Sequence, residues 1–167
     1  MPTLQVFEYP NPILKKISVK VTEFKSQVLQ AFINDAIETL NSHKFCVGLA
    51  APQLGNLQRI IFIDVSRGRR TQPGNGLLIL INPELLEASN YKIVREGCLS
   101  IPDYTANVKR AMNIKVKSQD KYGETKIIET SNFEAHAIQH EMDHLDGILF
   151  LDRIANPASE LFRRAQS

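Results

Sequence analysis

The sequence predicts an α+β fold in which mixed, mainly antiparallel strands surround a C-terminal helix carrying His-Glu-x-x-His, with one further helix near the N-terminus. Three observations predict it. Apolar residues recur at three- and four-residue steps after Ser26, and the middle of the chain is a succession of short apolar or alternating runs separated by turn residues. The segment from Ser131 to Gly147 carries helical start and stop signals. At 167 residues the chain is one domain's worth, residues 1–167, with a core over about 4–154 and a short C-terminal tail.

Composition narrows the function classes. Hydrophobic residues make up 43% and charged residues 23%, and a net charge of +2 gives no special attraction to nucleic acid or membrane. MPTLQVFEYP shows no basic region followed by an apolar run, and no apolar stretch reaches membrane length, so a cytoplasmic protein is expected. Cys46 and Cys98 read as free thiols of a reducing compartment rather than as a disulfide.

Pro10-Asn11-Pro12 forbids a regular element, and Ile13 to Lys16 allows one helical turn before an extended stretch, Ile17 to Val21. From Ser26, the set Val28, Leu29, Phe32, Ile33, Ala36, Ile37 and Leu40 lays one helical stripe on a core. Val47-Gly48-Leu49-Ala50-Ala51 predicts a strand with almost no side-chain bulk, ended by Pro52, and Gln53 beyond it supplies an amide that both donates and accepts. Arg59 to Val65 and Leu77 to Asn82 predict buried strands around a solvated, arginine-bearing loop, Ser66 to Gly76. Tyr91 to Val94 predicts another strand, after which Cys98 sits at a bend ahead of a segment stopped by Pro102. Ala106 to Arg110, Asn113 to Ser118 and Thr125 to Thr130 complete the strands, with Asp120-Lys121-Tyr122-Gly123 as a hairpin turn. Beyond Ile154, Pro157 breaks what remains into a tail without a second domain.

The final helix holds the chemistry. Ser131 as N-cap and Glu134 three residues on suggest a capping box, and Gly147 suits a left-handed end. His140 and His144 then lie about 6 Å apart along one face and can turn toward one metal ion. Glu141, one step round, would stand beside the metal, where a carboxylate can take a proton from a bound water. The motif needs a third ligand. His136 lies about 12 Å along the axis from His144, too far for one straight helix to supply all three. Where the metzincin pattern needs another histidine the chain has Phe150, and the only later glutamate is Glu160. His43 remains open as a third ligand but sits in a polar helix end without a supporting motif, and Cys98 is the best candidate, giving a two-histidine, one-thiolate site with an open fourth position.

These residues resemble the motifs of the peptide deformylase family. Val47 to Gln53 is similar to the family's first motif, Glu96-Gly97-Cys98-Leu99-Ser100 to its second, and Gln139 to His144 to its third, in the family's order. The resemblance implies a metal-dependent hydrolase that removes the formyl group from formyl-methionyl N-termini of newly made polypeptides and releases formate. Cys98, His140 and His144 would hold one divalent ion, ferrous iron in the cell, with zinc, nickel or cobalt able to replace it. Glu141 would act as general base, and the Gln53 amide with the Leu99 N–H would steady the oxyanion. The substrate would lie as an added strand along Val47 and Gly48, with Glu96, Gly97, Phe133, His136 and Ala137 as further contacts. A formyl-methionyl peptide or nascent chain is the implied partner, with a transient ribosome contact, no direct nucleic-acid binding and a monomeric state. The alternatives are a zincin-like metallopeptidase and an inactive metal-binding homologue. Two positions depart from the family: Cys46 replaces the glycine that opens the first motif, and His136 puts an ionisable ring where relatives are aliphatic. A positive φ at position 46 would strain a cysteine, so Cys46→Gly is expected to preserve or raise stability.

Overall fold

The computed structural model describes residues 3–164. Helix α1 spans Gln27–Ser42, and Ser26 caps it by accepting from the Leu29 N–H. The strands β1 (Gly48–Ala50), β2 (Ile60–Ile63), β3 (Leu78–Cys98), β4 (Ile101–Gln119) and β5 (Thr125–Ser131) form one antiparallel sheet in sequence order. Helix α2, Asn132–Leu145, follows β5 directly; a short helix α3 (Pro157–Glu160) and strand β6 (Leu161–Arg163) end the description.

The run Ile60-Ile61-Phe62-Ile63 is continuously apolar because both faces of β2 are covered. Ile60 and Phe62 pack with Leu29, Ile33, Ala36 and Leu40 of α1, whereas Ile61 and Ile63 pack with Ala135, Ile138 and Leu145 of α2. Period-two alternation assigns successive residues to opposite faces, so the two helices sandwich this part of the sheet. A third cluster, with Leu14, Cys98, Ile101, Leu149 and Phe150, closes the end near the β3–β4 turn.

Several expected breaks are absorbed within longer strands. Leu77–Asn82 and Tyr91–Val94 belong to the single strand β3, because Asn82 and Pro83 fall in a register shift between Ile81 and Glu84. There Asn82 takes φ 52°, and its side-chain amide accepts from the Val21 N–H and donates to the Val21 carbonyl. Pro102 likewise lies inside β4: Cys98 pairs with Ile101 and Gly97 with Thr105, so the proline occupies a bulge where no ladder donor is needed. Val28 leaves the expected stripe and is 80% exposed. The capping box at α2 does not form; Glu134 is buried and instead accepts from the Asn75 backbone and side chain and from Thr130 Oγ1. Gly147 does take a left-handed φ of 71°, and a Cβ there would collide with the Lys15 carbonyl. The tail is ordered into structure rather than merely broken, since β6 pairs with Tyr104, Thr105 and Ala106 of β4.

Candidate active site

Helix α2 and the end of β3 bring three ligating groups together. Donor atoms of Cys98, His140 and His144 all lie within 4.8 Å of one another, with Cys98 Sγ 3.4 Å from His144 Nε2, and all three residues are buried. Cys98 reaches this point because β3 ends there in a two-residue turn, Leu99-Ser100. Both cysteines are free. One thiol and two imidazoles at this spacing suit a divalent metal such as zinc or iron. The surroundings fit as well. His140 Nδ1 lies 2.8 Å from Glu96 Oε1, which leaves its Nε2 for an ion, and Phe150 packs against the same ring at 6.4 Å between centroids. Glu141 Oε1 is buried without a partner, an oxygen placed to serve a molecule not part of the fold.

Electrostatics follow from this burial. Burial pushes the Glu141 carboxyl up to about 7, opposed by His140 and reinforced by Glu96. Burial also acts on Glu96, but His140, His136 and Arg110 outweigh it and hold that carboxyl well below the usual range. Arg110 donates to both Glu96 oxygens at 2.7 and 3.0 Å and to Asp143 at 2.8 Å, and Arg153 closes the array on Asp143. Sequence reading missed Arg110 and Asp143, although Asp143 lies inside the histidine motif; no local pattern pairs it with an arginine 33 residues earlier.

Gln53 is wholly buried: its Oε1 accepts from the Ala50 N–H, and its Nε2 points to Cys98 Sγ at 3.5 Å and Ser100 Oγ at 3.0 Å. The N-terminal segment fastens this corner, since Phe7 N–H donates to the Gln53 carbonyl and Ser100 Oγ–H to the Phe7 carbonyl. A groove of about 600 Å³ opens over the ligands, lined by Val47, Gly48, Gly97, Leu99, Phe133 and Ala137 among others. Strand β1 is the first of the sheet, so its outer side is an open edge beside this groove.

Three expectations need correction. Glu96 lines the groove, but both its oxygens are taken by Arg110, His136 and His140, so its carboxylate is engaged by side chains of the fold. His136 is not a free ring in the groove: it is buried, with Nε2 2.8 Å from Glu96 Oε2 and its ring edge-on to Phe133. Cys46 does not have a positive φ. That conformation falls on Phe45, at 64°, while Cys46 packs in the α1 core and its thiol, pushed up to about 12 by burial and then by the Glu141 charge, bonds the Gly48 carbonyl.

A helix-borne His-Glu-x-x-His completed by a cysteine at a strand end, in an α+β frame, defines a metal-dependent hydrolase. A family profile described as polypeptide deformylase matches residues 3–160. Peptide deformylase from Heliobacterium modesticaldum is 42% identical over 160 residues, covering 96% of this chain and 99% of the relative. Peptide deformylase from Thermotoga maritima superposes with a TM-score of 0.84 at 38% identity, covering 93% of this chain and all of that one. A Met-Ala-Ser-bound class I type b peptide deformylase from Acinetobacter baumannii gives 0.86 at 35% identity, covering 92% and 99%. The chain belongs to the peptide deformylase family, metal-dependent hydrolases that remove the formyl group from N-formylmethionyl peptides.

Proposed function

We propose that Cys98, His140 and His144 hold the metal, that Glu141 is the general base, and that Gln53 with the Leu99 N–H receives the developing oxyanion. The observation that carries this reading is the buried, partnerless Glu141 oxygen beside the three clustered donors. An ion held by these three residues would supply Lewis acidity and lower the pKa of water toward neutrality. Glu141 takes the proton that water gives up and delivers it to the amine nitrogen as the C–N bond to the formyl carbon breaks, so formate and a free amino terminus leave. The Gln53 amide is preorganised because its oxygen accepts from the Ala50 N–H and its Nε2 donates to Ser100 Oγ, which leaves the N–H directed at Cys98 Sγ to turn to the oxyanion.

The substrate enters as an added strand on the open side of β1, along Val47 and Gly48, with the methionine side chain against Phe133 and Ala137. The donor set suits iron and zinc alike, and the family resemblance favours ferrous iron in the cell, acting on nascent chains in the cytoplasm. Anaerobic incubation with a formyl-methionyl tripeptide, alongside metal analysis, tests the whole reading: formate release supports it, internal cleavage indicates a peptidase, and no reaction from metal-loaded protein an inactive homologue. Glu141→Gln should keep its metal and lose at least about a hundredfold in kcat. A rate within tenfold of wild type would remove Glu141 as the base.

A further inference from the structure

The mouth of the groove is ringed by positive charge without counter-charge. Lys44, Arg69, Arg95 and Arg164 line it, and none of the four makes an ion pair among the described residues. The acids that line the same groove, Glu96 and Glu141, are buried at its floor. Two of the arginines are held against aromatic rings. The Arg95 guanidinium stacks 3.7 Å from the Phe162 ring centroid and donates to Asn107 Oδ1 at 2.8 Å, and Arg69 lies 4.5 Å over the Phe45 ring.

Arg164 is the most closely placed. Strand β6 docks the tail on β4, the Arg164 N–H donates to the Asp103 carbonyl at 2.7 Å, and the guanidinium then lies on Gly97, where a Cβ would collide with Nη2. Gly97 is the neighbour of the ligand Cys98. A guanidinium therefore lies against the residue that precedes Cys98, beside the path of whatever follows the methionine.

We propose that this rim recognises an aspartate or glutamate side chain one or two residues behind the formyl-methionine, with Arg164 as its principal specificity-determining residue. The inference rests on the deformylase reading. A peptide is favoured over a nucleic acid because the charges surround a groove that ends at the catalytic groups, instead of spreading over an open face. Binding of this kind acts on KM and weakens with salt, since the screening length falls from about 10 Å at 0.1 M to about 3 Å at 1 M.

The test uses metal-loaded enzyme and C-terminally amidated formyl-methionyl peptides carrying Asp, Asn or Lys at the second position, with a parallel series at the third. In at least one series kcat/KM should fall in the order Asp, Asn, Lys, with an Asp:Lys ratio of about ten or more at low salt that shrinks toward one in 1 M salt. Arg164→Gln should lower that ratio several-fold through KM, and Arg164→Lys should retain most of it. An Asp:Lys ratio near one in both series overturns the proposal, as does a ratio untouched by Arg164→Gln. Formate release from the Asn peptide in that case leaves the deformylase reading intact, whereas no formate from any peptide defeats both. Inhibition by a short RNA without any preference for Asp would assign the rim to nucleic acid and overturn the peptide reading.

Discussion

Gly48 and Glu141 are fitted to each other. A Cβ at position 48 would stand 2.7 Å from Glu141 Oε2, closer than real contacts allow, so the Glu141 carboxylate occupies space that only glycine leaves. Gly48→Ala should therefore displace that carboxylate and lower kcat by about one to two orders of magnitude with the metal still bound, as assayed by formate release and metal analysis. Cys46 behaves in the opposite way, because its side chain fills the core it faces. Cys46→Gly removes buried atoms and loosens the backbone, and should cost about 2 kcal/mol in urea unfolding, contrary to what the family pattern suggests. At this scale the meeting of His140 and His144 with Glu141 beside them was legible, since helix spacing fixes which side chains share a face, and donor chemistry adds Cys98, which the structure brings within 4.8 Å of both histidines. The roles of Glu96, His136 and Arg110 were not, because one carboxylate serves three donors from two elements and no spacing along the chain encodes that meeting.

Among the elements, α2 is attached to the sheet in a way that replaces a strand. On one side of β4, β6 covers Tyr104 to Ala106 and β5 begins at Asn113, which leaves Ala111 between them. Gln139 fills the gap: its Nε2 donates to the Ala111 carbonyl at 2.7 Å and its Oε1 accepts from the Ala111 N–H at 3.0 Å. Gln139→Leu would strand both backbone groups and should lower stability by about 2–4 kcal/mol, seen as a fall in Tm of about 5–10 °C. An unchanged Tm would mean that water replaces the amide without loss. Periodicity revealed both main helices and most strand segments. It could not show that Asn82-Pro83 and Pro102 sit in bulges, because a bulge is defined by the partner strand, and so β3 and β4 were read as fragments.

For the molecule as a whole, the candidate metal ligands join the end of β3 to helix α2. An ion that binds only the folded chain stabilises it by mass action. Chelation should thus lower the Tm of wild type by at least about 5 °C and leave Cys98→Ser, which has already lost its soft ligand, nearly unmoved. Equal shifts for both proteins would show that Cys98 does not hold the ion. The same geometry has a consequence for the protein's own production. Cys98 and His144 are 46 residues apart, and Ser100, which supports Gln53, is fastened to Phe7 at a separation of 93. Such distant segments close late, since chain entropy opposes them until many contacts form together. If Cys98 and His144 hold the ion together, a growing chain has no complete ligand set until His144 has emerged, so Cys98 must remain reduced and without its ion while the 46 residues that follow it are made.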